Sequence, residues 1–165
     1  NKIIFSLIVS SMLLGCSKQV EESAVTEVDQ EVEQQEPSKP LPNTGDTDNP
    51  NLIGIAPLEI HTSEGSNYFI KIDNAQTNEH LVSYFIRSGE TLETKIPLGS
   101  YIIKYATGQK WYGANKLFGA DTTYSQADQI FQFTSDGNQI SGHTIELISQ
   151  VNGNLATKKI GKDNF

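Results

Sequence analysis

The sequence predicts an all-β protein, an antiparallel β-sandwich or small barrel of seven to eight strands, preceded by a disordered tether. Short runs rich in Ile, Val, Tyr, Phe and Thr recur from residue 57 onward. Turn residues separate these runs, and no stretch there sustains helical periodicity beyond one candidate helical turn over Tyr124 to Asp128. The residues between the first apolar run and the strands are polar and acidic.

Eight runs are candidate strands because they are short and rich in β-branched and aromatic residues. They cover residues 57–62, 67–73, 81–87, 91–96, 100–106, 129–134, 143–149 and 154–160. Turn signals lie between them at Ser88-Gly89, Pro97-Leu98-Gly99, Asp136-Gly137 and Asn152-Gly153. The Asn-Gly pair is the strongest hairpin signal, because a type I′ turn requires positive φ at both central residues.

The N-terminal apolar run extends from Ile3 to Leu14 and follows a single cation, Lys2. A membrane-spanning helix needs about 20 apolar residues, so this run is too short to cross a bilayer. About 7 to 15 apolar residues after a positive charge is typical of a secretory signal. We therefore predict that residues 1–15 are a signal peptide.

The end of this run, Leu13-Leu14-Gly15-Cys16, resembles the lipobox of bacterial lipoprotein signals. The resemblance covers four residues and implies that the thiol of Cys16 receives a diacylglyceryl group before cleavage ahead of it. An ordinary export signal is the alternative. Since Cys16 is the chain's single cysteine, it has no internal disulfide partner. Ser17 in the next position resembles the sorting signal for the outer membrane, if the organism is Gram-negative.

Residues 16–50 are predicted to be the lipidated cysteine and a disordered acidic, proline-rich linker. From residue 17 to 50, nine acids face two lysines, and such a composition buries too little apolar surface to offset the cost of ordering. Within it, Leu41 to Gly45 resembles the sortase recognition pentapeptide of Gram-positive surface proteins. We interpret it as a Pro-Asn-Thr-Gly turn, since no apolar segment and basic tail follow.

Residues 51–165 are predicted to form the β-sandwich domain, which is nearly neutral, with eleven acids and nine bases from residue 52 onward. Without a clustered basic surface, nucleic acid is excluded as a partner. The segment Ile96 to Tyr101 resembles the turn-and-tyrosine edge of transthyretin-like sandwiches. That resemblance implies a β-sandwich in which the aromatic ring re-enters the core.

The long connection at residues 107–128 holds the single tryptophan and is the candidate binding loop. Exposed, its rings would form a binding surface; folded inward, they would cap one end of the sandwich, which is the commoner fate of large aromatic residues. The candidate contact residues are Thr107, Lys110, Trp111, Tyr112, Phe118 and Tyr124.

Catalytic motifs are missing from the sequence. His61, His80 and His143 lack the spacing of a metal site, and in space they would at most meet Asp73 or Glu79. There is no nucleophile elbow and no glycine-rich phosphate loop. We therefore expect no catalytic residues, no metal and no cofactor.

These observations predict a membrane-anchored lipoprotein that presents a non-catalytic β domain as a binding module in the cell envelope. Its expected partners are the membrane, through the lipid, and an envelope protein. One alternative comes from Ala106 to Trp111, which resembles the small-Gly-x-x-aromatic loop of membrane-bound lysozyme inhibitors, with Thr107 and Lys110 pairing with lysozyme's catalytic acids. Thr replaces Ser there, Trp replaces Tyr, and the family's cysteine pair is missing. An uncharacterised envelope hydrolase is the second alternative.

Overall fold

Nine strands form the fold in the computed structural model, which describes residues 36–147 and 156–165. Their bounds are β1 Ala56–Thr62, β2 Asn67–Asn74, β3 His80–Ile86, β4 Thr91–Ile96, β5 Gly99–Gly108, β6 Thr123–Ala127, β7 Phe131–Phe133, β8 His143–Leu147 and β9 Thr157–Lys159. Two short 3₁₀ helices lie at Gly119–Asp121 and Lys162–Asn164. The lipidation candidate Cys16 and the Asn152-Gly153 turn lie outside the described residues.

The strands form two sheets that pack together, which confirms the predicted all-β sandwich. The small sheet has the order β4-β1-β8, and the large sheet has the order β3-β2-β5-β6-β9, with β7 also pairing with β5. Among the described strands, β1 and β8 are the one parallel pair, with Leu58 opposite His143. This pair departs from the predicted antiparallel arrangement, because β8 enters the small sheet beside β1 in the same direction.

The main core lies between the two sheets. Alternate residues of the strands face it, as the period of two in a β-strand requires. In β2 these are Tyr68, Ile70 and Ile72, all buried. Tyr101 also re-enters this core, as predicted, and its hydroxyl donates to the main-chain oxygen of Pro97 at 3.2 Å. Burial raises the pKa of Tyr101.

A second core covers the outer face of the large sheet. It consists of Phe85, Ala106, Trp111, Leu117 and Phe118, with Phe69, Tyr124 and Phe165 packed against it. The rings contact one another edge to face, with centroids 5.1 Å apart for Phe85 and Trp111 and 5.4 Å apart for Trp111 and Phe118. The large sheet is therefore apolar on both faces in this region.

The connection between β5 and β6 folds inward to supply this second core. Tyr112 donates its main-chain N–H to Leu117 at 2.8 Å, which closes a compact turn over Gly113 to Lys116. Phe118 packs against the backbone of Gly108, where an added Cβ would lie 2.2 Å from the Phe118 Cβ. Only glycine allows that approach.

The connection is shorter than the sequence indicated, because its last residues form β6. The helical turn expected at Tyr124 to Asp128 is wrong: Thr123–Ala127 pairs with β5, with Ser125 opposite Tyr105. Side chains alternate along this strand: Tyr124 and Gln126 face outward, whereas Ser125 and Ala127 face the main core. This period of two is that of a strand and not of a helix.

Residues 36–50, assigned to the disordered linker from their composition, belong to the folded unit instead. The main chain of Gly45 and Asp46 exchanges hydrogen bonds with Phe85 at 2.9 Å, so this segment pairs with the free edge of β3. The guanidinium of Arg87 donates to the main-chain oxygen of Pro42 at 2.8 Å. The acidic composition favoured disorder, but composition carries no information about backbone pairing with an exposed sheet edge.

The turn predicted at Leu41 to Gly45 is present within this segment. The main-chain N–H of Asp46 donates to the Asn43 oxygen at 3.0 Å, and Gly45 has a φ of 92°. Glycine accepts that positive φ without strain.

We expect Phe118→Ala to destabilise the protein by about 3 to 5 kcal/mol, because it removes a ring that is 2% exposed and leaves a cavity. Ile53→Ala removes a side chain that is 85% exposed and serves as the control, with a change within about 0.5 kcal/mol. Urea unfolding of both variants measures the difference. Equal midpoints for the two variants would contradict a structural role for the second core.

Candidate functional site

A β-bulge places His80 on the outer face of the large sheet. The β2–β3 register runs from Tyr68 opposite Ile86 to Ile72 opposite Val82, and then shifts so that Asp73 lies opposite His80. One extra residue in β3, Leu81, reverses the side-chain alternation at this point. His80 therefore faces Asp73 on the same side of the sheet as Ser83.

His80 lies between two carboxylates. Its Nδ1 is 3.1 Å from Oδ1 of Asp73, and its Nε2 is 2.8 Å from Oδ2 of Asp48. Asp73 is 5% exposed and also pairs with the Lys104 ammonium at 3.0 Å. The result is a connected polar network from Lys104 to Asp48, next to the aromatic second core.

Asp48 joins the segment before β1 to this network. Its Oδ1 accepts the main-chain N–H of Ser83 at 2.6 Å, in addition to the contact of its Oδ2 with His80. Burial acts to raise the pKa of Asp48, but the Ser83 N–H and the His80 ring outweigh it, so the pKa lies below its ordinary value. The carboxylate is thus held ionised as the bridge between residues 36–50 and β3.

Ser83, His80 and Asp73 have the connectivity of a Ser-His-Asp triad, with Ser83 Oγ 3.2 Å from His80 Nε2. Two features set this group apart from a hydrolase triad. Asp48 approaches the same Nε2 more closely than the serine does, and so competes for the nitrogen that would accept the serine proton. Ser83 also lies within β3 and is 3% exposed, so substrate has little access to its hydroxyl.

An open cavity of about 470 Å³ lies where the polar network meets the second core. One wall is polar and consists of Asp48, Lys71, His80, Ser83, Asn115 and Lys162. The other is mostly apolar and consists of Phe69, Ala114, Leu117, Tyr124 and Phe165. Its volume falls within the range of small-ligand sites.

A second hollow of about 370 Å³ adjoins the cavity. The two share Tyr124 and Lys162, which form the ridge between them. The second hollow is also lined by Lys116, whose ammonium pairs with Glu36.

Among the six candidate residues of the binding loop, only Tyr124 lines the cavity. Trp111 and Phe118 are buried in the second core, so the inward-folded alternative is the one observed. Tyr112 is half-buried against Gly119, and Lys110 is exposed. Thr107 lies inside β5 between Tyr68 and Thr123, which gives the lysozyme-inhibitor alternative no support.

The histidines do not converge. His61 pairs with Glu59 at 2.9 Å, and His143 faces the main-chain oxygen of Gln132 at 2.9 Å. His80 meets Asp73, one of the two acids that the sequence offered. Within residues 36–147 and 156–165, no group of three His, Cys, Asp or Glu side chains is arranged to hold a metal ion.

Sequence reasoning missed Lys71, Lys162 and Asp48 as site residues. Lys71 is the polar residue between Ile70 and Ile72 in β2, and that alternation marks it as facing away from the main core. Nothing in the sequence marks Asp48, since its partners are 32 and 35 positions away.

Among the described residues, no helix is long and apolar enough to cross a membrane. No protein-family model, curated protein or solved structure matches this chain.

Low pH is expected to weaken the contacts between residues 36–50 and β3. Because the folded-state pKa of Asp48 is depressed, its contribution to stability is present above the ordinary Asp pKa of about 3.9 and is lost as the pH falls below it. The stability lost between about pH 6 and about pH 3 should therefore be smaller in Asp48→Asn than in the wild type. Denaturant unfolding at each pH measures the loss.

Asp121→Asn is the control, because Asp121 is exposed and lies outside the network. It should retain the wild-type pH dependence. An identical acid dependence in the wild type and Asp48→Asn would show that Asp48 does not hold the segment.

Proposed function

We propose that the protein is a lipid-anchored component of a bacterial cell envelope whose β domain binds a small ligand without transforming it. The observation that carries this proposal is the cavity of about 470 Å³, with one polar and one mostly apolar wall. We assign ligand binding to this cavity rather than to the candidate binding loop at residues 107–128, whose rings are largely buried.

The anchor part of the proposal is supported by Leu13-Leu14-Gly15-Cys16 after a signal-sized apolar run. Two or more acyl chains on one residue give durable attachment to a bilayer, where a single chain binds reversibly. Outer-membrane attachment, if the organism is Gram-negative, is part of the same proposal.

Binding is favoured over catalysis because the polar groups that could act as catalysts already contact one another. Both nitrogens of His80 face carboxylates, and both oxygens of Asp48 are engaged. A general base needs a free position within hydrogen-bond reach of the proton that it removes. The short contact between Ser83 and His80 keeps an envelope hydrolase as the second candidate.

Replacing Cys16 with serine should abolish attachment to the membrane, because the thiol is the proposed acceptor of the lipid. The wild type should incorporate a clickable fatty acid and sediment with membranes, whereas Cys16→Ser should do neither. Ser17→Ala is the matched control and should stay acylated. Unchanged fractionation of Cys16→Ser would overturn the anchor.

Filling the cavity should abolish ligand retention. Ala114 is exposed on the cavity wall, so Ala114→Trp adds a ring where the ligand would lie without disturbing either core. Native mass spectrometry after incubation with the small-molecule fraction of an envelope extract should show a bound mass on the wild type and none on Ala114→Trp.

Asn138→Trp is the control, since Asn138 is exposed in the 136–139 turn and does not line the cavity. It should retain the bound mass. Absence of any bound mass on the wild type, or equal retention by Ala114→Trp, would contradict a binding role for the cavity.

A further inference from the structure

The hydrogen-bonding groups that remain free in the cavity are mostly donors. The acceptors on its polar wall already have partners within the protein. Asp48 accepts from Ser83 and contacts His80, and His80 also contacts Asp73. A ligand that brought donors to these groups would have to break the network, and the Asn115 amide oxygen and the Tyr124 hydroxyl are the other acceptors that it could use. A ligand that brings acceptors would not have to break the network.

Three side chains on the cavity wall carry donors that are not engaged at all. Lys162 and Asn115 have no side-chain partner among the residues that the structure describes, and neither does the Tyr124 hydroxyl. A lysine ammonium has three N–H donors. Asp163, the acid next to Lys162 in the chain, does not line the cavity. Among the described residues, Lys162 therefore brings a positive charge to the cavity wall with no carboxylate paired to it.

Lys71 adds a second cation with donors to spare. Its ammonium donates to the main-chain oxygen of Phe165 at 2.7 Å and leaves its remaining N–H groups available. The same ammonium lies 5.7 Å from the centroid of the Phe165 ring.

The packing of Phe165 is an example, within the protein, of an aromatic group held in this region. Its ring lies against Tyr124 and Phe69, with centroids 5.1 Å and 6.4 Å away, while its main-chain oxygen contacts Lys71. An aromatic group with an adjacent oxygen acceptor thus already fits between the apolar wall and a lysine. Lys162, Tyr124 and Leu117 also line the cavity, so a second lysine and further apolar surface are present there.

We propose that the cavity binds a small organic anion: a carboxylate, sulfonate or phosphate monoester on an apolar or aromatic body. The anionic group contacts Lys162 and the free N–H groups of Lys71, and the body packs on Tyr124, Leu117 and Phe165. This inference rests on the proposed binding function and adds the sign of charge and the shape of the ligand. Lys162 is the specificity-determining residue.

The test uses three probes that share one ring and differ in charge: para-trifluoromethyl-benzoate, the corresponding benzyl alcohol and the corresponding benzylamine. Fluorine NMR titration of the full chain measures their affinities. The benzoate should bind about three- to tenfold more tightly than the alcohol, and the amine should bind most weakly. The benzoate's advantage should shrink as salt screens the lysines.

Lys162→Gln should reduce benzoate affinity about three- to tenfold and leave the alcohol unchanged. Lys110→Gln, at an exposed lysine outside the cavity, is the matched control and should bind all three probes like the wild type.

Equal or tighter binding of the alcohol or the amine would overturn the anion preference while leaving a binding cavity in place. Benzoate affinity that is insensitive to Lys162→Gln would overturn the assigned role of that lysine. Failure of all three probes to bind would overturn the inference for this ligand class, whereas the proposed function is decided separately by the cavity-filling variant.

Discussion

The apolar outer face of the large sheet is the constraint on which the rest of this structure depends. Phe69, Phe85 and Ala106 place hydrophobic surface on the side of the sheet away from the main core. If this face were uncovered, its apolar patch would favour association with other molecules. The β5–β6 connection supplies Trp111, Leu117 and Phe118 to cover it, and Phe165 extends the cover.

The cover stops where the sheet face turns polar, and the cavity lies at that boundary. On the polar side the bulge at Leu81 brings His80 and Asp73 together, and Asp48 reaches in from the segment that pairs with the edge of β3. The same segment thus protects an open sheet edge and completes one wall of the cavity. The segment at residues 36–50 therefore serves both the structure and the candidate site, and the Asp48 carboxylate is one of the contacts that attach it.

Strand positions were predictable from the sequence, because alternation and turn residues are local signals: β4 lies at the predicted residues 91–96, and β1, β2, β3 and β5 begin within one residue of their predicted starts. The sequence could not reveal what depends on distant pairing. Residues 36–50 look disordered by composition, and distant contacts hold them, above all the pairing with the free edge of β3. The cavity was missed for the same reason, since the partners of Asp48 and of Lys71 are distant in sequence and the bulge that orients His80 has no sequence signature.

The most direct test of this account is the fluorescence of Trp111, the chain's single tryptophan. It is 7% exposed and packs between Phe69, Phe85 and Phe118, so its emission reports the second core alone. The account predicts blue-shifted emission that iodide and acrylamide quench poorly, until denaturant exposes the ring. Emission and quenching typical of free tryptophan in the native protein would show that the outer face is uncovered, and the cavity with it would lose its apolar wall.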